Sequence, residues 1–288
     1  MSGATPEVVL TIAGSDSGGA AGIQADLKAF AALGVYGTSV VTAVTAQNTV
    51  GVQDVHVVPT DVVDAQITSV VTDLRPVAVK TGMLATAATV RAVAARAASG
   101  ELPQLVVDPV MVATTGHRLL DPEAERAYVE LLFPHALVVT PNLREASVLV
   151  GRELTTVEDM VSAVGELAAT GARHVVVKGG HLPGGVAADV MFDGGRTTVL
   201  SGPRITTANV HGTGCTLSAA IVAQLARGLG PVQAVERAKD FVARALRGAA
   251  GWNLGTGQGP VDALGWGAAG GSAQEDAAAW RANADRLG

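Results

Sequence analysis

The chain has 288 residues, of which 48% are hydrophobic, 16% charged and only 3% aromatic, a composition that excludes a disordered, collagenous or coiled-coil chain and leaves an interior built from Ala, Val, Leu and Ile. Acidic residues outnumber basic ones 26 to 20, a net charge of -6; this offers no electrostatic footprint for nucleic acid or an anionic membrane, so any phosphate must be held locally. The single cysteine, Cys215, excludes an intramolecular disulfide framework and a cysteine-built zinc site, and it suits a reducing, cytoplasmic location.

The N-terminal MSGATPEVVLTIAGSD has neither the basic start nor the long apolar stretch of a secretory signal. Residues 29–53 lack Asp, Glu, Lys and Arg, but Ser39, Thr42, Thr45, Gln47, Asn48 and glycines interrupt them, so this stretch reads as buried soluble structure rather than a membrane span. Val-rich apolar runs predict strands at 8–13, 39–46, 77–80, 105–108, 136–140 and 174–178. Helical spacing predicts helices at 23–33, 61–72, 86–98, 122–132, 156–170 and 213–227. The alternation is that of an α/β fold around a mostly parallel sheet, and continuous rather than alternating hydrophobicity means strands covered on both faces. One domain is expected over 1–264, followed by a glycine-rich tail at 265–288 with a short charged helix at 273–287.

In such sheets ligands gather beyond the carboxyl ends of the strands, and the residues there are polar. VVLTIA runs into Gly14-Ser15-Asp16-Ser17-Gly18-Gly19, a loop that is neither a phosphate-binding G-x-x-x-x-G-K-[ST] nor a dinucleotide G-x-G-x-x-G. Its glycines allow close backbone approach to a ligand. Asp26, placed in the first turn of the following helix, either complements the helix dipole or accepts a hydrogen bond from a substrate. Gln47 offers an amide donor and acceptor to a heteroaromatic edge, while turn formation suits its neighbour Asn48 better. Met83, after the strand end at Lys80, is either core or ligand wall.

Asp108 and Glu145, with Asn142 between them in sequence, form an oxygen-rich set that suits Mg²⁺ held mainly through water; the competing reading is a helix cap after Pro141. Lys178, one of only four lysines, emerges from VVV before two glycines, either to meet a ligand or as an ordinary solvated strand end. Gly212-Thr213-Gly214-Cys215 immediately precedes an Ala/Leu helix, which makes its backbone N–H groups an anion hole. The helix field favours a Cys215 thiolate and apolar burial opposes it, a balance that the sequence leaves open.

Six separated segments occur in order: AGSDSGGAAGIQADLKAFAALGVYGTSVVTAVTAQNT, VKTGML, VVDPVMVATTG, VVTPNLREA, VVVKGGH and HGTGCTLSAA. Through them the chain, from about Val8 to Leu264, resembles the hydroxymethylpyrimidine/phosphomethylpyrimidine kinases of thiamine biosynthesis, within the ribokinase-like superfamily. The resemblance implies a ribokinase-like three-layer α/β/α sandwich, ATP as co-substrate, Mg²⁺ and a homodimer. It implies phosphorylation of 4-amino-5-hydroxymethyl-2-methylpyrimidine to its monophosphate and of the monophosphate to the diphosphate. Asp26 and Gln47 match the residues that read the pyrimidine, and Gly14, Met83 and Val110 match its wall. Asp108, Asn142 and Glu145 match positions around Mg²⁺ and the nucleotide phosphates, and Lys178 matches the lysine that approaches the transferred phosphate. Gly212, Thr213, Gly214 and Cys215 match the anion hole, with cysteine where many of the superfamily's sugar kinases carry an Asp base.

Two departures stand out: Ala20-Ala21 occupies a stretch where a glycine is common, and the chain continues past the usual end near Leu264. Competing readings are a pyridoxal kinase, a non-catalytic ligand sensor on the same fold, and a nicotinamide-dependent oxidoreductase, whose fingerprint is missing. Gln47, Met83 and Cys215 favour the pyrimidine over pyridoxal.

Overall fold

The computed structural model describes residues 5–111, 122–180, 182 and 184–267. Along the chain its strands are β1 (Val8–Asp16), β2 (Tyr36–Gln47), β3 (Val52–Val57), β4 (Ala78–Thr81), β5 (Val106–Val107), β6 (Val138–Val139), β7 (His174–Lys178), β8 (Val186–Phe192) and β9 (Thr197–Pro203). They form one sheet in the order β3-β2-β1-β4-β5-β6-β7-β8-β9. From β2 to β7 all neighbours are parallel, and β3, β8 and β9 add antiparallel margins. Because β1 is followed in sequence by β2 on one side and is flanked by β4 on the other, the ends of β1 and β4 are a topological switch point, where a crevice opens.

The helices are α1 (Gly22–Ala32), α2 (Thr60–Asp73), α3 (Ala87–Ala98), α4 (Pro122–Ala127), α5 (Leu143–Val150), α6 (Val157–Ala168), α7 (Thr213–Ala226) and α8 (Pro231–Ala249). Side chains of a strand point alternately to its two faces, and both faces here are apolar. Leu10, Ile12, Val107, Val139 and Val175 pack with Val63 of α2, Val90 of α3 and Met160 of α6. Val9, Val106, Val138 and Val176 pack with Phe30 of α1, Ile221 of α7 and Phe241 of α8. The three layers and the double covering are those expected of the sequence. No helix among the described residues is long and apolar enough to cross a membrane.

Several boundaries differ from the sequence pattern. β1 runs on to Asp16 past an irregularity between Ala13 and Ser15, which places the first three loop residues in the sheet. The stretch 122–132 is α4 followed by a π turn, Tyr128–Leu132; the buried Tyr128 hydroxyl donates to the Gly82 carbonyl at 2.8 Å, tying that turn to the end of β4. β3, β8, β9 and α8 were not predicted, and of α5 only its start after Pro141 was, as the competing reading of Asn142 and Glu145. β3 is mostly exposed, so it lacks an apolar run. α8 buries Ala234, Val235, Ala238, Phe241, Val242 and Ala245, an amphipathic stripe at helical spacing in a stretch rich in charge. The helix expected at 273–287 lies outside the described residues.

Candidate active site

The carboxyl ends of the central strands and the start of α7 enclose a cavity of about 550 Å³. Gly14, Gln47, Met83, Asp108, Val110, Asn142, Glu145 and Lys178 line it, together with Gly212, Thr213, Gly214 and Cys215. Asp26 and Asn48 do not. Sheet order spreads these groups across the cavity, from Gln47 on β2 to Lys178 on β7.

At the β1–β2 end the loop after β1 closes on its own carboxylate. Asp16 accepts from the N–H groups of Gly18 at 2.8 Å, Ala20 at 3.0 Å and Ala21 at 2.8 Å. The loop amides expected to approach a ligand are therefore occupied by Asp16. Burial pushes the Asp16 carboxyl up, but the His211 ring and the N–H groups of Ala21 and Gly18 outweigh it and leave it below the usual range. Ser17 secures Gln47 by its backbone, the hydroxyl donating to the Gln47 carbonyl at 2.7 Å and accepting from its N–H at 2.8 Å. Asn48 makes the turn, its Oδ1 accepting from the N–H groups of Val50 and Gly51. A Cβ on Gly14 would come within 2.5 Å of Met83 Cε, so glycine is what lets Met83 lie against the strand.

Asp26 differs from expectation twice. α1 begins at Gly22 and has no acidic residue in its first turn, so Asp26 is too far along the helix to complement its N-terminus. It is also fully buried below the cavity floor, where it accepts from Thr11 Oγ1 at 2.6 Å and from Lys80 Nζ at 2.7 Å on each oxygen. It reaches the cavity only through Lys80, which does line it. Burial opposes the Lys80 charge, but the Asp26 carboxylate overcomes it and holds the ammonium above the ordinary lysine range.

Toward β7, Lys178 Nζ donates to Asp108 Oδ1 at 2.8 Å. Asp108 also accepts from Thr140 Oγ1 at 3.2 Å and Ser218 Oγ at 3.1 Å. Burial pushes Asp108 up, and Lys178 and then Lys80 more than offset it. Asn142 and Glu145 form a capping box on α5: Asn142 Oδ1 accepts from the Glu145 N–H at 3.0 Å, and Glu145 accepts from the Asn142 N–H at 2.7 Å. The cap and the site are thus the same pair of side chains. Burial, with repulsion from Asp108 and partial relief from Lys178, pushes the Glu145 carboxyl up to about 7.

Gly212 precedes α7 at φ 82° with no side-chain cap, and a Cβ there would overlap the Ala20 carbonyl oxygen. Glycine at 212 is what lets this loop touch the backbone of the loop after β1. No side chain caps the first turn of α7; the Thr213 N–H donates to the Val210 carbonyl at 3.3 Å, which leaves the amides of Gly214 and Cys215 at the cavity edge. Burial pushes the Cys215 thiol up to about 11, against the pull of Lys80, and so disfavours the thiolate.

Asp16, Lys80 and His211 were not singled out from sequence, although all three line the cavity. His211 Nε2 lies 3.1 Å from Gln47 Nε2 and 3.5 Å from Asp16 Oδ2. Two further groups line the β8–β9 side. Lys239 pairs with Asp189, which also accepts from the Gly179 N–H at 2.9 Å. Arg204 donates to the carbonyls of Gly180, Leu182, Gly184 and Val186, fastening the loop that follows Lys178. Their signal in the sequence was only a charged residue beside an apolar run.

Residues 16–262 match the family model described as phosphomethylpyrimidine kinase. The chain belongs to the phosphomethylpyrimidine kinase family. It is 51% identical to the hydroxymethylpyrimidine/phosphomethylpyrimidine kinase of Rhizobium meliloti, over 88% of this chain and 96% of that one. It is 48% identical to the thiamine biosynthesis bifunctional protein ThiED of Geobacter sulfurreducens, over 88% of this chain and 51% of the longer protein. Among solved structures it is similar to the Staphylococcus aureus pyridoxal kinase in complex with AMP-PCP and pyridoxal. That likeness has a TM-score of 0.83 and 37% identity, and it covers 91% of this chain and 95% of the other. This family of small-molecule kinases uses ATP as co-substrate.

Proposed function

We propose that the protein phosphorylates 4-amino-5-hydroxymethyl-2-methylpyrimidine with ATP and then phosphorylates the monophosphate to the diphosphate, in thiamine biosynthesis. The observation that carries this reading is one cavity that joins Gln47, Gly14 and Met83 to Lys178 and the uncapped start of α7. The pyrimidine lies against Gly14, Met83 and Val110 with its polar edge toward Gln47, and ATP approaches from the Lys178 side. Asp26 supports this end from below, through Lys80.

Phosphoryl transfer asks the protein mainly for positioning and charge compensation. Lys178 and the amides of Gly212, Gly214 and Cys215 meet the charge on the transferring group, with Thr213 in the wall of the same loop. Because burial disfavours its thiolate, Cys215 contributes its backbone N–H rather than a resting base. Asp108 and Glu145 face one cavity, but no group of three or more His, Cys, Asp or Glu side chains among the described residues is placed to hold a metal. That donor set fits Mg²⁺ held through water and phosphate oxygens rather than a dedicated cage. Asp108, Glu145 and Asn142 would hold it, and bound there it would neutralise phosphate charge.

The homodimer is proposed on the family resemblance, and a cytoplasmic location on the lone Cys215, which suits a reducing compartment. The test of function is ATP consumption with product identification, offering the pyrimidine, its monophosphate and pyridoxal in parallel with Mg²⁺. Conversion of the monophosphate to the diphosphate is expected. Turnover of pyridoxal alone would move the protein to the second reading, which its likeness to a pyridoxal-bound kinase favours.

A further inference from the structure

The side-chain amide of Gln47 has two polar neighbours, and its orientation decides whether they are satisfied. With Nε2 toward His211 the two nitrogens are 3.1 Å apart, and the Thr45 hydroxyl lies 3.1 Å from Gln47 Oε1 and 2.9 Å from the Ser15 carbonyl. A hydroxyl has one proton, so Thr45 cannot donate to both oxygens. A His211 nitrogen that accepts from Nε2 also turns its lone pair toward Asp16 Oδ2, 3.5 Å away. Asp16 is buried and already accepts three backbone N–H bonds, so a facing lone pair is repelled.

A half-turn of the amide exchanges oxygen and nitrogen without changing its shape, and it removes both conflicts. His211 Nε2–H then donates to Gln47 Oε1, with the positive N–H edge rather than a lone pair facing Asp16, while Thr45 donates to Ser15 and accepts from the Gln47 N–H. We infer that Asp16 and His211 are positioning residues that fix which way round the Gln47 amide faces the substrate, and thereby determine specificity.

This inference rests on the proposed function. In the aminopyrimidine the carbon beside the hydroxymethyl-bearing one carries an amino group, a donor, next to a ring nitrogen, an acceptor. Pyridoxal carries an aldehyde, an acceptor, at the corresponding place. An amide held one way reads a single order of donor and acceptor, whereas an amide free to turn accommodates either. Locking it converts a hydrogen bond into discrimination against the wrong ring. The lock joins three separate segments: Asp16 ends β1, Gln47 ends β2, and His211 precedes the anion hole by one residue.

The test compares kcat/KM for the aminopyrimidine and for pyridoxal in the wild type, His211→Phe and Asp16→Asn, each alone and combined with Gln47→Ala, with melting curves to confirm folding. His211→Phe keeps a ring in place and retains the three backbone N–H bonds to Asp16. The aminopyrimidine-to-pyridoxal ratio is expected to fall about three- to tenfold in each single variant, the equivalent of one hydrogen bond. It should change no further once Gln47→Ala is present. An unchanged ratio overturns the inference, as does an equal fall without Gln47 or a wild type that treats the two compounds alike. Wild-type enzyme inactive on the aminopyrimidine would instead overturn the proposed function itself.

Discussion

The cavity floor carries two lysine–aspartate pairs, Lys80–Asp26 and Lys178–Asp108, with similar contact distances of 2.7 and 2.8 Å but different surroundings. Both side chains of the first pair are 0% exposed, whereas Lys178 keeps 13% of its surface open. Asp26 spends both oxygens on Lys80 and takes a further bond from Thr11. Asp108 takes only one bond from Lys178 and shares its oxygens with Thr140 and Ser218. Closed on itself, the first pair is a fixed electrostatic support under the site. On the proposed function the second hands its ammonium to an incoming phosphate, because Asp108 keeps other donors when Lys178 turns away.

Breaking the sealed pair has the largest expected effect. Asp26→Asn leaves the Lys80 ammonium buried without its counter-charge and should cost about 3–5 kcal/mol of unfolding free energy, measured by urea denaturation. Replacing both partners with apolar residues of similar volume should recover most of that loss, which separates a charge effect from a packing effect.

Glu145 sharpens the comparison through pH. Its carboxyl is raised from 4.5 to about 7 in the folded protein. Below pH 4.5 both states are protonated; between there and about 7 the unfolded chain ionises first, so the ligand-free wild type loses stability as pH rises. Glu145→Gln keeps the capping geometry and lacks that titration. Its stability relative to wild type should therefore rise by roughly 2–3 kcal/mol across that window, read from melts at a series of pH values. Ser218→Ala removes one donor from Asp108 and should cost only about 1 kcal/mol, since Lys178 and Thr140 remain.

Strand-end residues were legible in the sequence because position after an apolar run fixes where a side chain emerges. Asp108, Asn142, Glu145 and Lys178 were all found that way, and β7 has the limits expected. Partnerships were not legible when they joined distant segments. Asp26 meets Lys80 54 residues away, and Gln47 meets His211 164 residues away. Nothing local marks either pair. Asp16 was hidden for another reason: a carboxylate amid glycines looks like part of a ligand loop, yet here it fills that loop itself. At Glu145 two readings competed, helix cap and site; the capping box is present, and the same carboxylate lines the cavity.

The most direct measurement is the single-turnover rate of phosphoryl transfer from ATP to the aminopyrimidine in wild type and Lys178→Ala, with both ligands saturating. If the open pair delivers its lysine to the transferring group, the rate should fall about 10²–10³-fold while the variant remains folded. Transfer at the wild-type rate would remove Lys178 from the reaction and contradict the distinction drawn between the two pairs.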